Sequence, residues 1–187
     1  MATVTEHKEN LTRELTTLDS VSQLKFASWC CFALTGTKSV FDFLSRYSVL
    51  SADDIHARIV KGLDRVWGGD KSGSDFSDLR LREWDIDDIS MGDDANAQGA
   101  SDLLGALSFL HKWIRAHSVI DLVSCAEQVI NRIDYLEGFE LLPGNVKSPV
   151  EMEIHVQTKF IEDLRGGLVG DDEVFKYHEL LMTIGNP

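Results

Sequence analysis

Apolar residues recur at intervals of three and four along most of the chain, the spacing of an α-helix with one buried face. Before residue 50 this spacing marks three groups, so three helices are predicted there. The groups are Leu11, Leu15 and Leu18; Val21, Leu24, Ala27, Cys31 and Leu34; and Val40, Phe43, Leu44 and Tyr47.

Two capping boxes, each a serine followed three residues later by an acid or amide, predict helix starts. Ser20 with Gln23 precedes the second helix, which Gly36 is expected to end. Ser51 with Asp54 precedes a fourth helix. That helix runs through apolar positions to a Gly-Gly stop signal, in the order Ile55, Ile59, Leu63, Val66, Gly68 and Gly69.

The second half of the chain repeats the helical pattern with clearer boundaries. An apolar stripe predicts a helix over 97–117, and Ser118 with Asp121 begins the next, which Gly138 ends. In SPVE at 148–151, Ser148 can cap and Pro149 fits the first helical position. This helix closes at Gly166 and Gly167, and a last short one is predicted to carry Val174, Phe175, Leu180 and Leu181.

No segment alternates between apolar and polar residues as a half-buried strand would. The sequence therefore predicts an all-α fold, a single-domain helical bundle of about seven or eight helices over residues 1–187. One long acidic loop at 68–95 interrupts it. A short helical turn through Phe76, Leu79, Leu81 and Trp84 is expected to pin this loop to the bundle.

Charge is concentrated in that loop. It carries nine acids against three bases, a net charge of −6 in a chain whose total is −13. Loops of this length in compact domains usually have a function or are disordered. The total charge argues against binding to nucleic-acid phosphates or to anionic membranes, because both need lysine and arginine, and it permits a strongly basic protein partner.

The most acidic stretch, EWDIDDISMGDD at 83–94, fits no standard catalytic or metal-binding motif. Its spacing lacks the oxygen ligands and glycine of an EF-hand calcium loop. DIDD at 85–88 matches the DxDD of terpene cyclases, but those enzymes have much longer chains with several helical domains, so the match is treated as coincidence.

Histidine and cysteine patterns also give no catalytic or metal site. Six histidines form no HExxH or HxH motif, and Glu151 with His155 supplies at most two ligands. The three cysteines, Cys30, Cys31 and Cys125, are expected to be buried apolar residues. No nucleotide-binding loop or nucleophile elbow occurs. The sequence thus predicts no enzyme activity, no metal and no cofactor.

The four tryptophans fall into two groups. Trp29, Trp67 and Trp113 lie within helical apolar patterns and are predicted to be core residues. Trp84 stands among acids, where it either anchors the loop inward or serves as an interface hot spot with an acidic rim. The sequence leaves these two readings open.

Targeting signals are not apparent. The N-terminus has no basic region followed by an apolar one, and no run of about 18 apolar residues occurs. A cytoplasmic location is therefore expected.

Five stretches resemble the YjaG-like family of uncharacterised bacterial proteins. They are LDSVSQLKFASWCCFAL at 18–34, KSVFDFL at 38–44, ARIVKGLDRVW at 57–67, DDANAQGASDLLGAL at 93–107 and SPVEMEIHVQTKFIEDL at 148–164. The resemblance covers roughly two thirds of the chain and departs from the family in the loop at 68–95. It implies an all-helical bundle and little about activity. By analogy, small acidic helical proteins of this kind include immunity proteins encoded beside bacterial nuclease toxins.

The leading hypothesis is an immunity protein that binds and neutralises a basic toxin, a nuclease, by occluding it with acidic groups. The expected contact residues are Asp75, Asp78, Glu83, Trp84, Asp85, Asp87, Asp88, Asp93 and Asp94. Two alternatives stay open. One is a small helical metalloprotein or enzyme that uses carboxylates with His111, His117 or His155. The other is a helical module whose acidic loop is a solvated linker.

Overall fold

The computed structural model describes residues 4–76, 79, 94–143 and 146–184. Within these ranges the regular structure is helical, with no strand, which confirms the predicted all-α fold. The α-helices are α1 Val4–Thr16, α2 Ser20–Ala33, α3 Lys38–Ser45, α4 Ala52–Trp67, α5 Ala95–Ala116, α6 Val119–Gly138, α7 Pro149–Arg165 and α8 Glu179–Ile184. A 3₁₀ turn, Lys71–Ser74, follows α4.

Helix α2 is the centre of the bundle. Every residue from 26 to 35 is buried, so this stretch has no solvent-facing stripe. A helix that is apolar on all sides must be surrounded by other elements, and α2 packs against α4, α5, α6 and α7. The cysteine prediction is confirmed here, because Cys30, Cys31 and Cys125 are all fully buried. Trp29, Trp67 and Trp113 are core residues, as predicted.

The longest helices, α5 and α6, form an antiparallel pair joined by a tight connection at 117–118. Their register is fixed by contacts along the pair: Cys125 Sγ lies 3.5 Å from the Ala106 carbonyl oxygen, and the Gln128 side chain lies against Gly105. Near the other end, Arg132 lies against Gly99 and donates a hydrogen bond to the Ala95 carbonyl oxygen at 2.6 Å. Arg132 therefore reaches the first residue of α5.

The helix starts agree with the predicted positions more often than with the predicted caps. Ser51 caps α4 as expected, accepting a hydrogen bond from the Asp54 amide at 3.1 Å. The prediction for α2 was wrong by one residue, because Asp19 caps it and Ser20 is its first residue. Ser118 and Ser148 occupy the cap positions of α6 and α7 without making a side-chain capping bond.

The last helix also differs from its prediction. Val174 and Phe175 lie in turns, and α8 begins only at Glu179. Residues 168–181, hereafter the C-terminal segment, pack across the helices of the bundle. Val174 and Leu181 are buried, and the Phe175 ring meets Phe32 edge-on at 5.3 Å.

Trp29 of the central helix is held by this C-terminal segment. Its ring stacks on Phe160 at 4.3 Å and on His178 at 4.2 Å, one ring from α7 and one from the segment. Its indole N–H donates to the Lys176 carbonyl oxygen, and His178 Nε2 donates to the Trp29 carbonyl oxygen, each at 2.8 Å. The Trp67 indole is similarly bonded to the Asp171 carbonyl oxygen.

A single carboxylate on α7 ties the C-terminal segment down. Asp163, whose side chain is 5% exposed, accepts hydrogen bonds from Lys159 at 2.7 Å and from the Tyr177 hydroxyl at 2.7 Å. Lys176 Nζ lies 3.3 Å from Oδ2, the oxygen that accepts the bond from Tyr177. These donors, Lys159 foremost and then Tyr177, lower the pKa of Asp163 to about 2.

We expect Asp163→Asn to lower the free energy of unfolding by about 1–2 kcal/mol, because it weakens two charge-assisted bonds to the C-terminal segment. The pKa of Asp163 is lower in the folded chain than in the unfolded one. The stability that its charge contributes is therefore present above pH ~4 and disappears as the pH falls toward about 2, and this is the contribution that Asp163→Asn removes. Chemical denaturation at several pH values measures the free energy of unfolding and its dependence on pH. Glu162→Gln is the matched control, because Glu162 is 59% exposed and 3.9 Å from the same Lys159. A change there above about 0.5 kcal/mol would contradict this account.

Candidate partner-binding surface

The acidic segment, residues 68–95, is described at its two ends. The structure includes 68–76 and Leu79 on one side and Asp94 with Ala95 on the other. Two of the predicted contact residues, Asp75 and Asp94, are therefore placed. The others lie outside the described residues and stay predictions: Asp78, Glu83, Trp84, Asp85, Asp87, Asp88 and Asp93.

The segment leaves α4 through a glycine in the left-handed region. Gly69 has φ +92°, and the Asp70 amide bonds back to the Arg65 carbonyl oxygen at 2.8 Å. Asp70 then accepts from the Ser72 hydroxyl at 2.6 Å and from Arg65 Nε at 2.9 Å. The bonds from Ser72 and then Arg65 lower the pKa of Asp70. This acid stabilises the turn, so it is less available to a partner.

Two glycines let the 3₁₀ turn approach α4 closely. A Cβ at Gly62 would lie 2.7 Å from the Gly73 carbonyl oxygen and 2.7 Å from the Phe76 ring. A Cβ at Gly73 would clash with the Gly62 carbonyl oxygen. The two backbones therefore touch where neither residue has a side chain, which fixes the start of the acidic segment on the bundle.

Two further hydrogen bonds hold the segment against α5 and against the turn that follows α3. His111 Nδ1 donates to the Ser74 carbonyl oxygen at 3.1 Å, and the Ser48 hydroxyl donates to the Leu79 carbonyl oxygen at 2.8 Å. Leu79 is 2% exposed, and its amide bonds to the Phe76 carbonyl oxygen. The predicted pin is confirmed at Phe76 and Leu79, whereas Leu81 and Trp84 lie outside the described residues.

Beside this pin lies a shallow groove of about 330 Å³ between the segment and α5. It is mainly apolar, with Asp75 on its rim. The residues that line it are Ser74, Asp75, Phe76, Leu79, Leu104, Leu107, Ser108 and His111.

Asp75 and Asp94 differ in their surroundings. Asp75 is exposed at the end of the 3₁₀ turn. Asp94 is half-buried and caps α5, accepting from the Asn96 amide at 2.8 Å and from the Ala97 amide at 3.4 Å. Its charge also faces the positive end of the α5 dipole. Asp94 therefore starts α5 whether or not it also meets a partner.

The end of α6 carries an exposed aromatic pair that the sequence did not single out. Gln128, Arg132, Tyr135 and Phe139 follow one another at helical spacing on the side of α6 that faces α5. The first two contact α5, but Arg132 already reaches Ala95, its first residue. Tyr135 and Phe139 lie past the start of α5. Their rings stack at 4.5 Å, and Phe139 is 53% exposed.

Three exposed acids lie in the same stretch of chain as this aromatic pair. Asp134, Glu137 and Glu140 lie in or just after the last turn of α6, which holds no basic residue. A helix C-terminus is the negative end of the helix dipole, so acids there lower helix stability. The backbone of Glu140 is also in the left-handed region, with φ +57°. At the equivalent position after α4 and after α7 the chain has a glycine, Gly69 and Gly167.

Two buried carboxylates were also not predicted. Asp102 on α5 is 2% exposed and accepts a hydrogen bond from Gln98 at 3.0 Å. Burial raises its pKa to about 6, against the opposing effects of Gln98 and the Arg132 charge. Burial likewise lowers the pKa of Arg132. This pair sits where α6 crosses the start of α5.

Glu153 on α7 is the more strongly perturbed of the two. It is 6% exposed, and its only hydrogen bond among the described residues is from Gln157 at 2.9 Å. Gln157 in turn accepts from His7 at 2.8 Å and donates to the Ala126 carbonyl oxygen. Burial raises the pKa of Glu153 to about 8. The chain of bonds joins α1, α7 and α6 and gives Glu153 no cationic partner.

The groups proposed for a metal are dispersed. Within 4–76, 79, 94–143 and 146–184, no cluster of three or more histidines, cysteines and carboxylates could hold a metal ion. His111 is bonded to Ser74, and His117 meets the Trp113 ring edge-on at 5.1 Å. His155 is exposed on α7.

A second groove of about 270 Å³ lies between α1 and α7. Its charged rim is largely self-paired, because Glu14 accepts from Arg165 at 2.5 Å and from Arg13 at 3.4 Å. These bonds, Arg165 foremost, lower the pKa of Glu14. The charges of Arg13, Glu14 and Arg165 at this rim are therefore already paired with one another.

Comparison with protein-family models, with curated proteins and with solved structures gives no match to this chain. The resemblance to the YjaG-like family thus stays a prediction. Among the described residues, no helix combines the length and the apolar character needed to span a bilayer.

Proposed function

We propose that this chain is an immunity protein that binds and neutralises a basic protein toxin, a nuclease domain, through an acidic surface. The observation that carries the proposal is the charge of the acidic segment, −6 of the total −13. The acidic segment is attached to the bundle at both ends, by the Gly62–Gly73 contact on one side and by the Asp94 cap of α5 on the other.

The proposed mechanism is electrostatic occlusion. A nuclease active site attracts phosphates, so an inhibitor gains affinity and orientation by presenting carboxylates to the same cationic groups. The complementary charge accelerates encounter, and apolar contacts at the centre of the interface slow dissociation. The chain contributes no chemical step, and specificity resides in the acidic segment and the surfaces next to it.

Neutralising four acids of the segment tests this proposal. The variant carries asparagine at Asp85, Asp87, Asp88 and Asp93. Under the proposal a toxin domain should be encoded next to this chain, and we expect the association rate of the variant with that domain to fall by about 10–100-fold at low salt. The rate should also become less sensitive to salt. Stopped-flow measurements over a range of ionic strength give both quantities.

A matched control removes the same charge from elsewhere on the surface. Glu9, Asp42, Asp64 and Asp172 are all exposed and lie on other parts of the bundle. Replacing these four acids by their amides removes the same amount of negative charge, and most of the association rate should remain. Equal losses in the two variants would mean that only net charge matters. An unchanged rate and salt dependence in the first variant would refute the proposal.

A further inference from the structure

We infer that the stacked Tyr135–Phe139 pair at the end of α6 is a docking surface for an arginine-bearing segment of the basic partner. This inference rests on the proposed function and extends it to a surface that the structure describes fully. Its three supports are the geometry of the aromatic pair, the charges around it and its position beside the acidic segment.

Among the residues that the structure describes, no helix covers the exposed ring of this pair. On the side of α6 that faces α5, Gln128 contacts Gly105, and Arg132 contacts Gly99 and Ala95. Because α5 begins at Ala95, the next two positions on that side, Tyr135 and Phe139, extend beyond it. A half-exposed Phe stacked on a Tyr is an apolar surface of the kind that marks interaction sites.

The surrounding charges select a cation as the occupant. Asp134, Glu137 and Glu140 are exposed in or just after the last two turns of α6, and the last turn contains no lysine or arginine to neutralise them. Anionic ligands, including nucleic acid, would be repelled there. A cation that approached would be attracted by the carboxylates, by the helix dipole and by the faces of the aromatic rings.

Arginine fits this combination better than lysine. Its planar guanidinium stacks on aromatic rings while its N–H groups bond to carboxylates, whereas the lysine ammonium is a more strongly hydrated point charge. The exposed side chain of Leu141, 48% accessible, adds apolar area for the aliphatic part of the arginine or for its neighbour.

The position of this surface is close to the described end of the acidic segment, Asp94. Asp94, the last acid of the segment, caps the helix whose first residue, Ala95, accepts the hydrogen bond from Arg132. The aromatic pair follows Arg132 by one and two turns of α6. A partner that contacts Asp94 would therefore lie near the pair.

The test uses the 187-residue chain, the toxin domain that the proposed function expects beside it, and three peptides of equal length rich in arginine, lysine or glutamine. We expect Phe139→Ala to weaken toxin binding by about 10-fold. The arginine peptide should shift the ring signals of Tyr135 and Phe139 in NMR spectra and bind more tightly than the lysine peptide. Phe139→Ala should abolish that preference, and the glutamine peptide should not bind.

Glu140→Gly separates binding from folding. Glycine relieves the left-handed backbone at this position, so the variant should melt at a higher temperature. Because it also removes a flanking carboxylate, it should bind the toxin domain less tightly. A variant that is more stable and binds more weakly cannot be explained by a folding defect.

The outcomes distinguish this inference from the proposed function. If Phe139→Ala leaves toxin affinity unchanged while the four-asparagine variant loses it, the docking surface is wrong and the proposed function stands. If only Phe139→Ala weakens binding, the role of the acidic segment is wrong. If Phe139→Ala instead abolishes self-association in sedimentation without toxin, the surface binds a second copy of the chain, and the inference is overturned.

Discussion

Replacing Glu153 by glutamine should remove most of the loss of stability that this chain undergoes between pH 6.5 and 8. In that interval the native protein is expected to lose about 1.4 kcal/mol of unfolding free energy for each pH unit, as the buried carboxyl resists ionisation. Glu153→Gln should be nearly independent of pH there and more stable than the native chain at pH 8. Denaturation at closely spaced pH values measures the two curves.

The sign follows from where each state ionises. Burial raises the pKa of Glu153 from 4.5 to about 8, so between these values the unfolded chain has lost a proton that the folded chain keeps. Stability is therefore fully present below pH ~4.5 and is lost as the pH rises toward about 8. Glutamine keeps an oxygen that can accept the bond from Gln157 and cannot ionise in either state.

Three other buried groups, His7, His178 and Asp102, act at lower pH and leave the interval above 6.5 to Glu153; burial lowers the pKa of His7 from its ordinary value of 6.5. Burial lowers the pKa of His178 from 6.5 to about 3, so its contribution is lost only as the pH falls below 6.5. Burial raises the pKa of Asp102 from 3.8 to about 6, and its contribution is lost mainly below 6.5. These effects should persist in the Glu153→Gln variant.

Glu151→Gln is the control for this result. It removes the same charge two residues away on α7, at a half-exposed position. Its curve should keep the slope of the native protein above pH 6.5. If Glu153→Gln kept that slope as well, a different group would have to be the source.

Substituting alanine for Gly62 should destabilise the bundle by about 1–3 kcal/mol, although alanine is the better helix former. The new Cβ would meet the Gly73 carbonyl oxygen and the Phe76 ring, both at 2.7 Å, and a backbone oxygen has little freedom to withdraw. The 3₁₀ turn would have to leave α4. Hydrogen exchange of residues 71–76 should accelerate by more than that of α6.

Gly138→Ala provides the opposite expectation within the same chain. Gly138 is also helical, and a Cβ there would meet no atom within 4 Å. Alanine should therefore stabilise α6 by about 0.5–1 kcal/mol, its ordinary advantage over glycine. If the two substitutions changed stability in the same direction, close contact at Gly62 would not be the deciding factor.

The helices were predictable because the bundle buries one stripe of most of them. Leu11 and Leu15 of α1, or Ile55 and Ile59 of α4, lie inside at the intervals that the sequence displays. The central position of α2 was not predicted. Its unbroken burial from 26 to 35 appears in the sequence only as an apolar run around two cysteines, and a run does not say which helices cover it.

The two local errors have different causes, one in the chemistry of the helix cap and the other in tertiary contacts. Ser20 was preferred to Asp19 as a cap because serine with Gln23 completes a capping box, yet aspartate caps equally well and the structure uses it. Val174 and Phe175 look like part of an apolar helix face. They are buried or packed by the turns of the C-terminal segment, which are held by Trp29 and Asp163 from other helices.

The candidate site was predictable only in part. Charge density marked the acidic segment, and the Gly68-Gly69 stop marked where it begins. The Tyr135–Phe139 pair was missed because Tyr135 and Phe139 continue the spacing of a buried stripe, and only the position of Ala95 shows that α5 stops short of them. A Tyr and a Phe four residues apart among Asp134, Glu137 and Glu140 are the signal that was available.

The stacking of Trp29 between Phe160 and His178 determines when the core can close during synthesis. The hydrogen bond from His178 to Trp29 joins residues 149 positions apart. At about 5–20 residues per second, a ribosome needs on the order of 10–30 s to make the intervening chain. Through that interval the central helix lacks the rings that cover its tryptophan. The last cover of the central helix therefore arrives only when the C-terminal segment has been made.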